Sequence, residues 1–391
     1  MKIGIDARMM GPTSRGIGRY IERLVAHLSI IDKENALRPA QGDREKYEYT
    51  VFTRKEAASL VPKSMKTVIV DIPWYSFAEQ FKLGKIFDAE RLDLIHVPHW
   101  NAPLHMKTPL AVTIHDMILW EHPSLATTTL PPLVYWLKYF FYRYVVSKNA
   151  ERAKIVFTVS ESAKNSILRN LNVSPEKIIV TPNGIDPLPN LPLPSVGEGA
   201  RRAGESCPSG PYILSVGSGY PHKNMETFFR VAKELMADDR ELATIVVGTD
   251  PAFSGRLKKQ TKEIMGNDID RVKFAGLVGD AELGALYQNA NALIFTSLAE
   301  GFGLPPLEAA LAGTLVIASD IDTCRETLGH AVPLVAPTDV SGYVAAYRKI
   351  MDDPANKAAI LSAEKAIAQT FSWERSARLT LAGYKRAFST R

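Results

Sequence analysis

Short runs rich in Val and Ile alternate with helix-length segments along nearly the whole chain, and this rhythm limits the fold more than any single motif does. Lys2–Ile5, Tyr49–Phe52, Thr67–Val70, Leu94–Val97, Leu110–Ile114, Ile155–Val159 and Ile178–Thr181 read as strands. Ile17–Ser29, Leu130–Ala150 and Glu161–Leu171 read as helices between them. Strand, helix, strand in that order argues for a parallel sheet covered on both faces. From Pro187 to Pro211 the rhythm breaks: six prolines stand among Gly, Ser and Glu. Such a stretch continues neither a helix nor a central strand, so it reads as an interdomain linker. A second alternation follows, with strands at Tyr212–Val216, Ala243–Val247, Val272–Phe274, Ala292–Phe295 and Leu315–Ala318. Helical patterns lie at Met225–Ala237, Gly255–Met265, Ala281–Ala290 and Pro305–Ala312, and from Ser341 onward.

The fold class that follows is α/β, with two Rossmann-like doubly wound domains. The expected boundaries are residues 1–186, a linker at 187–211, a second domain at 212–370, and a closing helix at 371–391. Open parallel sheets bind ligands outside the carboxyl ends of their strands. Two such domains facing each other therefore predict a ligand cleft between them.

Composition removes several function classes. A net charge of +5 over 391 residues is too mild to mark a nucleic-acid binder. The whole positive excess lies before residue 187. Cys207 and Cys324 alone make neither a disulfide framework nor a zinc site. The chain opens on a strand-like segment without the apolar stretch of a signal peptide, and no uncharged run reaches the roughly 20 residues of a spanning helix. The expectation is a soluble, cytoplasmic protein.

Four constellations carry chemistry. In SLAEGFGLPPLEAA (297–310) a strand ends, two glycines bracket Phe302, and Pro305 stands where a helix would begin. Amides of Gly301, Phe302, Gly303 and Leu304 would face the strand's carboxyl end, where free N–H groups attract phosphate or sugar oxygens. Glu300 before the turn and Glu308 in the first helical turn suit hydroxyl recognition. Without a ligand, the same pattern is a helix start with two solvated acids. In YILSVGSGYPHKN (212–224) a strand runs through Gly217 into a loop that ends on Lys223, a point charge suited to phosphate or else an ordinary surface lysine. It is neither a Walker loop nor a dinucleotide fingerprint. In RMMGPTSRGIGRY (8–20), glycines including Gly16 precede the first helix, and Arg15 and Arg19 offer charge for phosphate or acceptor; a plain surface loop fits as well. In TIHD (113–116), His115 is placed to donate to a sugar hydroxyl, and Asp116 either caps the next turn or orients His115. No strained Ser or Cys turn completes a nucleophile relay.

Two features carry less. LVYWLKYFFYRY (133–144) mixes aromatics with cations, as an interfacial membrane helix does and as a core helix does more often. Asp280 in FAGLVGD (274–280) reads chiefly as a helix N-cap, although its loop could reach a nucleobase.

Together these pieces resemble glycosyltransferase family 4, retaining enzymes of the GT-B fold. EGFGLPPLEAA is similar to the family's paired-glutamate signature. VTIHDM, FTVSESAKNSI, IVTPNGID, ILSVGSGYPHKN and VKFAGLVGDAEL follow in the family's order, and FSWERSARLTLAGYKRAF resembles its closing helix. The resemblance covers nearly the whole chain. It implies that Glu300 holds donor-sugar hydroxyls beside the amides of 301–304, that Glu308 holds the donor ribose, and that Lys223 binds the diphosphate. Gly217 and Asp280 would lie along the donor, Gly16 would bring its loop against phosphate or acceptor, and His115 would meet the sugar near its reacting face. His222 and Ser218 stand where many members carry an arginine, so Arg15 or Arg19 substitutes for it or Lys223 bears more of the charge. Arg325-Glu326 replaces a frequent proline–glutamate pair. The family mechanism is a front-face displacement needing no metal and no cofactor. GIGRYI with TIHDM resembles the branch using GDP-mannose for bacterial surface polysaccharides such as lipopolysaccharide O antigen; UDP-hexose and UDP-N-acetylhexosamine are the other donors weighed. The basic first half suits a saccharide carried on a lipid pyrophosphate, or the inner membrane surface. A GT-B sugar-nucleotide epimerase and a non-catalytic nucleotide-sugar sensor are the rival classes.

Overall fold

A computed structural model describes residues 1–11, 15–37, 47–188, 210–248 and 251–389. Most of the expected linker, with Cys207, lies outside these residues. The chain divides into two compact units. One comprises Met1–Trp120, Leu130–Gly184 and Ser372–Arg391; the other comprises Glu121–Thr129 and Ile185–Phe371.

The first unit is built on a seven-stranded sheet. Its strands are β1 (Lys2–Asp6), β2 (Glu48–Thr53), β3 (Lys66–Ile69), β4 (Leu94–Val97), β5 (Leu110–Thr113), β6 (Ile155–Thr158) and β7 (Ile178–Val180). They lie in the order β3-β2-β1-β4-β5-β6-β7, every pair parallel. Strands β4, β5 and β6 are buried along their whole length, which explains their unbroken apolar sequences. Successive side chains feed opposite cores. Ile3, Ile5, Leu94 and Phe157 pack with the helices Arg15–Leu37 and Trp373–Ser389. Ile95, Val97, Val112 and Val156 pack against the helices Gly84–Ala89, Pro132–Arg152 and Glu161–Asn170. The closing helix thus belongs to the first unit, where His96 is wedged between Tyr384 Oη (2.7 Å) and Thr113 Oγ1 (2.8 Å).

One helix corrects its sequence reading. It begins at Arg15, two residues before the expected Ile17, so Gly16 lies inside its first turn rather than before it. A Cβ on Gly18 would stand 2.1 Å from the carbonyl oxygen of Gly11, so only glycine lets the incoming loop cross there.

The second unit repeats the plan with six parallel strands: β8 (Tyr212–Val216), β9 (Ala243–Val247), β10 (Val272–Gly276), β11 (Ala292–Phe295), β12 (Val316–Ser319) and β13 (Leu334–Val335). Their order is β10-β9-β8-β11-β12-β13. Two-residue β13 is too short to leave a periodic signal in sequence. In both units the chain builds outward from a first strand and then returns to its other side. The order therefore reverses between β1 and β4 in one unit and between β8 and β11 in the other, and ligands of doubly wound sheets bind at such points.

Candidate functional site

At the β8/β11 reversal two loops meet. The first leaves β8 through Gly217, makes a short 3-10 turn over Pro221–Lys223, and enters the helix Met225–Asp238 through Asn224, whose φ is +52°. The second leaves β11 and enters the helix Leu304–Ala312 through Gly303, at φ +85°. That backbone conformation, rather than a lack of space, is what asks for glycine at 303. Thr296 Oγ1 donates to the carbonyls of Lys223 (3.2 Å) and Asn224 (3.1 Å), and the Leu298 amide donates to the His222 carbonyl at 2.7 Å. Thr323 Oγ1 holds the Glu300 carbonyl at 2.7 Å. The backbones that carry Lys223 and Glu300 are therefore tied together before their side chains interact.

Those side chains do interact. Lys223 Nζ lies 2.5 Å from Glu300 Oε1, with only 15% and 10% of the two side chains exposed. A Cβ at Gly217 would sit 3.4 Å from Lys223 Cδ and Cε, so glycine leaves the lysine its path across the strand end. The Phe295 ring lies 5.6 Å from the ammonium. Burial, and then the Lys223 charge, push His222 down to about 4, so it is neutral at pH 7 and does not stand in for an arginine. Burial pushes the Cys324 thiol up, and the Glu300 carboxylate adds to the shift.

Other expected residues sit less openly. Glu308 is the fifth residue of its helix, not part of the first turn, and is buried; one carboxylate oxygen accepts the Tyr287 hydroxyl at 3.2 Å. It is thus no solvated acid. Phe302 is buried edge-on against Phe371, with centroids 5.4 Å apart. Gly301 and Leu304 flank Phe302 and Gly303 in the turn. The N-cap at the next helix is Gly279, and Asp280 is instead its first residue, an acid favoured in a first helical turn.

The remaining expected residues belong to the first unit. His115 follows β5, half-buried, edge-on to Tyr20 at 4.8 Å. Its Nε2 lies 3.1 Å from the Pro98 carbonyl, which only accepts, so Nε2 carries the proton. The free nitrogen, Nδ1, then offers a lone pair. His115 is set to accept from a hydroxyl, which reverses the expected donation. Burial holds this imidazole neutral, with its pKa down at about 4. Asp116 Oδ1 accepts the Ile118 amide at 3.0 Å, so it caps the turn. Gly16 is exposed and Arg19 half-buried with partners of its own; the Arg15 side chain lies outside the described residues.

Sequence reasoning missed one cluster, at the β1/β4 reversal. Arg8 donates to both oxygens of Asp6 at 2.8 Å and to Glu79 Oε1 at 2.6 Å. Glu79 also accepts from Asn101 Nδ2 and from the Tyr75 amide, each at 2.8 Å, and Asn101 Oδ1 meets His99 Nδ1 at 2.8 Å. All but Tyr75 are buried. The available signal was an aspartate and an arginine at the end of a strand buried from its second residue on.

Two Rossmann-like units, each with its strand order reversing at a loop-borne polar cluster, make up the GT-B fold. Comparison with known proteins agrees. A model described as Glycosyltransferase Family 4 matches residues 15–187, and one described as Glycosyl transferases group 1 matches residues 200–366. The O-antigen chain mannosyltransferase RfbU of Salmonella typhimurium is 26% identical over 90% of this chain and 91% of its own. Among solved structures, sucrose-phosphate synthase from Thermosynechococcus elongatus superposes with a TM-score of 0.73 at 22% identity, covering 100% of both chains. HepE from Anabaena, solved with UDP and glucose, gives 0.69 at 18% identity, covering 98% of this chain and 99% of its own. The chain belongs to glycosyltransferase family 4 and is a hexosyltransferase.

Proposed function

We propose that the protein transfers mannose from GDP-mannose to a saccharide or lipid-pyrophosphate-linked saccharide, with retention and without a metal or cofactor. The observation that carries the reading is the Lys223–Glu300 pair at the β8/β11 reversal. A nucleoside diphosphate competes with Glu300 for the ammonium. Once Lys223 turns to phosphate, the Glu300 carboxylate is released to accept donor-sugar hydroxyls beside the amides of 301–304. Lys223 and those amides then stabilise the charge growing on the departing diphosphate. With His222 neutral, no second cation stands next to Lys223 in sequence, so this lysine carries more of the phosphate charge. Glu308 would hold the donor ribose, with Gly217 and Asp280 along the donor and Gly16, Arg15 and Arg19 toward phosphate or acceptor.

In a front-face displacement the donor phosphate oxygen takes the acceptor hydroxyl proton as the new glycosidic bond forms and the sugar–phosphate bond breaks. His115 Nδ1, a weak base at about pKa 4, suits contact with a sugar hydroxyl better than removal of its proton. Mannose rests on the mannosyltransferase relatives. HepE, solved with UDP and glucose, favours a second reading, transfer from a UDP-hexose. Among the described residues no helix is long and apolar enough to cross a membrane. The proposed place of work is the cytoplasm, at the inner face of the membrane when the acceptor is lipid-borne.

The test is a panel of GDP- and UDP-sugars, each with and without a polyprenyl-pyrophosphate-linked saccharide. Acceptor-dependent release of GDP from GDP-mannose is expected. Release only from UDP-sugars moves the assignment to the second reading. Epimer formation without acceptor, or tight binding without product, overturns transfer.

A further inference from the structure

The helix Pro132–Arg152 is apolar on two opposite sides. Tyr135, Tyr139, Tyr142 and Val146 form a buried stripe. Leu133, Leu137, Phe140 and Tyr144 recur at the same helical spacing on the other side, and there Leu133 is 83%, Leu137 71% and Phe140 63% exposed. A helix apolar all round is ordinarily buried or placed against lipid. In the same unit, Phe77 and Phe81 are 81% and 64% exposed. That segment reaches the helix's covered stripe through aromatic contacts. Tyr75 stacks on Trp100 at 5.2 Å, and Trp100 meets Tyr142 edge-on at 4.7 Å.

Charge selects the occupant. From His122 to Ala150 the sequence holds no acid, while Lys138 and Arg143 flank the open stripe on either side. Neither cation has a carboxylate partner among the described residues; Arg143 instead covers the Trp120 ring at 4.0 Å. A second copy docked through this face would set cations against cations, because a twofold contact uses the same patch on both subunits. An anionic bilayer answers both properties. Acyl chains receive the Leu and Phe side chains, and lipid phosphates receive the Lys and Arg heads. With no spanning helix described, the protein would lie on such a surface rather than cross it.

We propose that the open stripe of Pro132–Arg152 is a docking surface that seats the first unit in the interface of an anionic bilayer. The proposal deepens the membrane placement suggested above by naming the surface, and it needs no donor, so it stands or falls separately from the sugar assignment. The test is sedimentation of the full chain with vesicles of 3:1 phosphatidylcholine–phosphatidylglycerol and of phosphatidylcholine alone. Binding is expected to the anionic vesicles, weakening several-fold at high salt. The combined variant Leu133→Ser/Leu137→Ser/Phe140→Ser should lose at least tenfold in partitioning with an unchanged melting temperature. Leu137→Ser serves as the milder variant if the triple one melts early. Lys138→Glu should weaken anionic binding alone. Wild-type protein that stays in the supernatant, serine variants that bind as wild type does, or a dimer in solution dissolved by the same substitutions would each overturn the proposal.

Discussion

The two units place polar residues at the same topological position and treat them in opposite ways. At β1/β4 the charges are locked in. Arg8 is held by both oxygens of Asp6, by Glu79 and by the Ile72 carbonyl, and Glu79 takes two further donors. At β8/β11 Lys223 holds one oxygen of Glu300, from loops that are themselves firmly tied. A saturated network fixes a backbone; an ammonium with donors to spare exchanges partners when a stronger anion arrives. Likeness of fold therefore does not imply likeness of role, and substitution separates the two.

The largest effect falls on turnover. Lys223→Ala or Glu300→Gln is expected to lower kcat for nucleoside diphosphate release by about a hundredfold or more, the scale of losing one transition-state contact. Melting temperature should fall less than in Glu79→Ala, since the pair keeps some exposure and backbone hydrogen bonds hold both loops. A large loss of stability with near-normal turnover would erase the contrast between the units.

Glu79→Ala should do the reverse. Removing one partner of a buried ion pair costs about 3–5 kcal/mol, and the lower end applies here because Asp6 still pairs with Arg8. Denaturant unfolding measures it. Nucleotide affinity, carried by the other unit, should stay within about twofold of wild type. A fall in nucleotide affinity with stability intact would show that the buried cluster also serves the donor.

This division explains what could be read from sequence. Lys223 and Glu300 sit in contiguous strand–loop–helix motifs whose glycines and prolines mark the turn, so local pattern suffices. Asp6, Arg8, Glu79, His99 and Asn101 come from three separated segments, and nothing local says that they converge. The central strands were legible because burial on both faces makes them nearly uniformly apolar. The first helix starts two residues earlier than expected because Gly16 suggests a loop, while Gly18, already inside the expected helix, is the glycine that the crossing at Gly11 requires. The tautomer of His115 was beyond reach, being set by a carbonyl seventeen residues away. The open stripe at Leu133–Tyr144 was visible as composition, but only the fold shows which side is covered.

A third substitution asks what a buried acid costs without a cation. Glu364, on the helix Pro354–Ala368, accepts the Val316 amide at 3.0 Å through Oε1, and its Oε2 has no hydrogen-bond partner among the described residues. Burial raises its pKa to about 8 from an ordinary 4.5. A carboxyl raised in this way contributes stability that is complete below about pH 4.5 and is lost as pH climbs toward 8. Glu364→Gln keeps the acceptor and removes the titration. It should gain on the order of 2 kcal/mol at pH 7–8 and flatten the stability–pH curve between 5 and 8. An unchanged slope would mean that the carboxyl is hydrated.

The smallest expected effect is the sharpest check on the donor site. His222 stacks beside Tyr220 at 5.8 Å and next to Lys223 in sequence, where an ionised imidazole would share the phosphate charge. Burial and the neighbouring ammonium hold it neutral down to about pH 4. His222→Gln therefore removes no charge at any pH used for assay, and donor affinity from pH 6 to 8 should match wild type within about twofold. Loss of an acidic-side rise in affinity on substitution would show that donor binding recruits a proton to His222. The second unit would then hold two exchangeable cations, and its contrast with the saturated cluster around Arg8 would be wider than the ligand-free geometry implies.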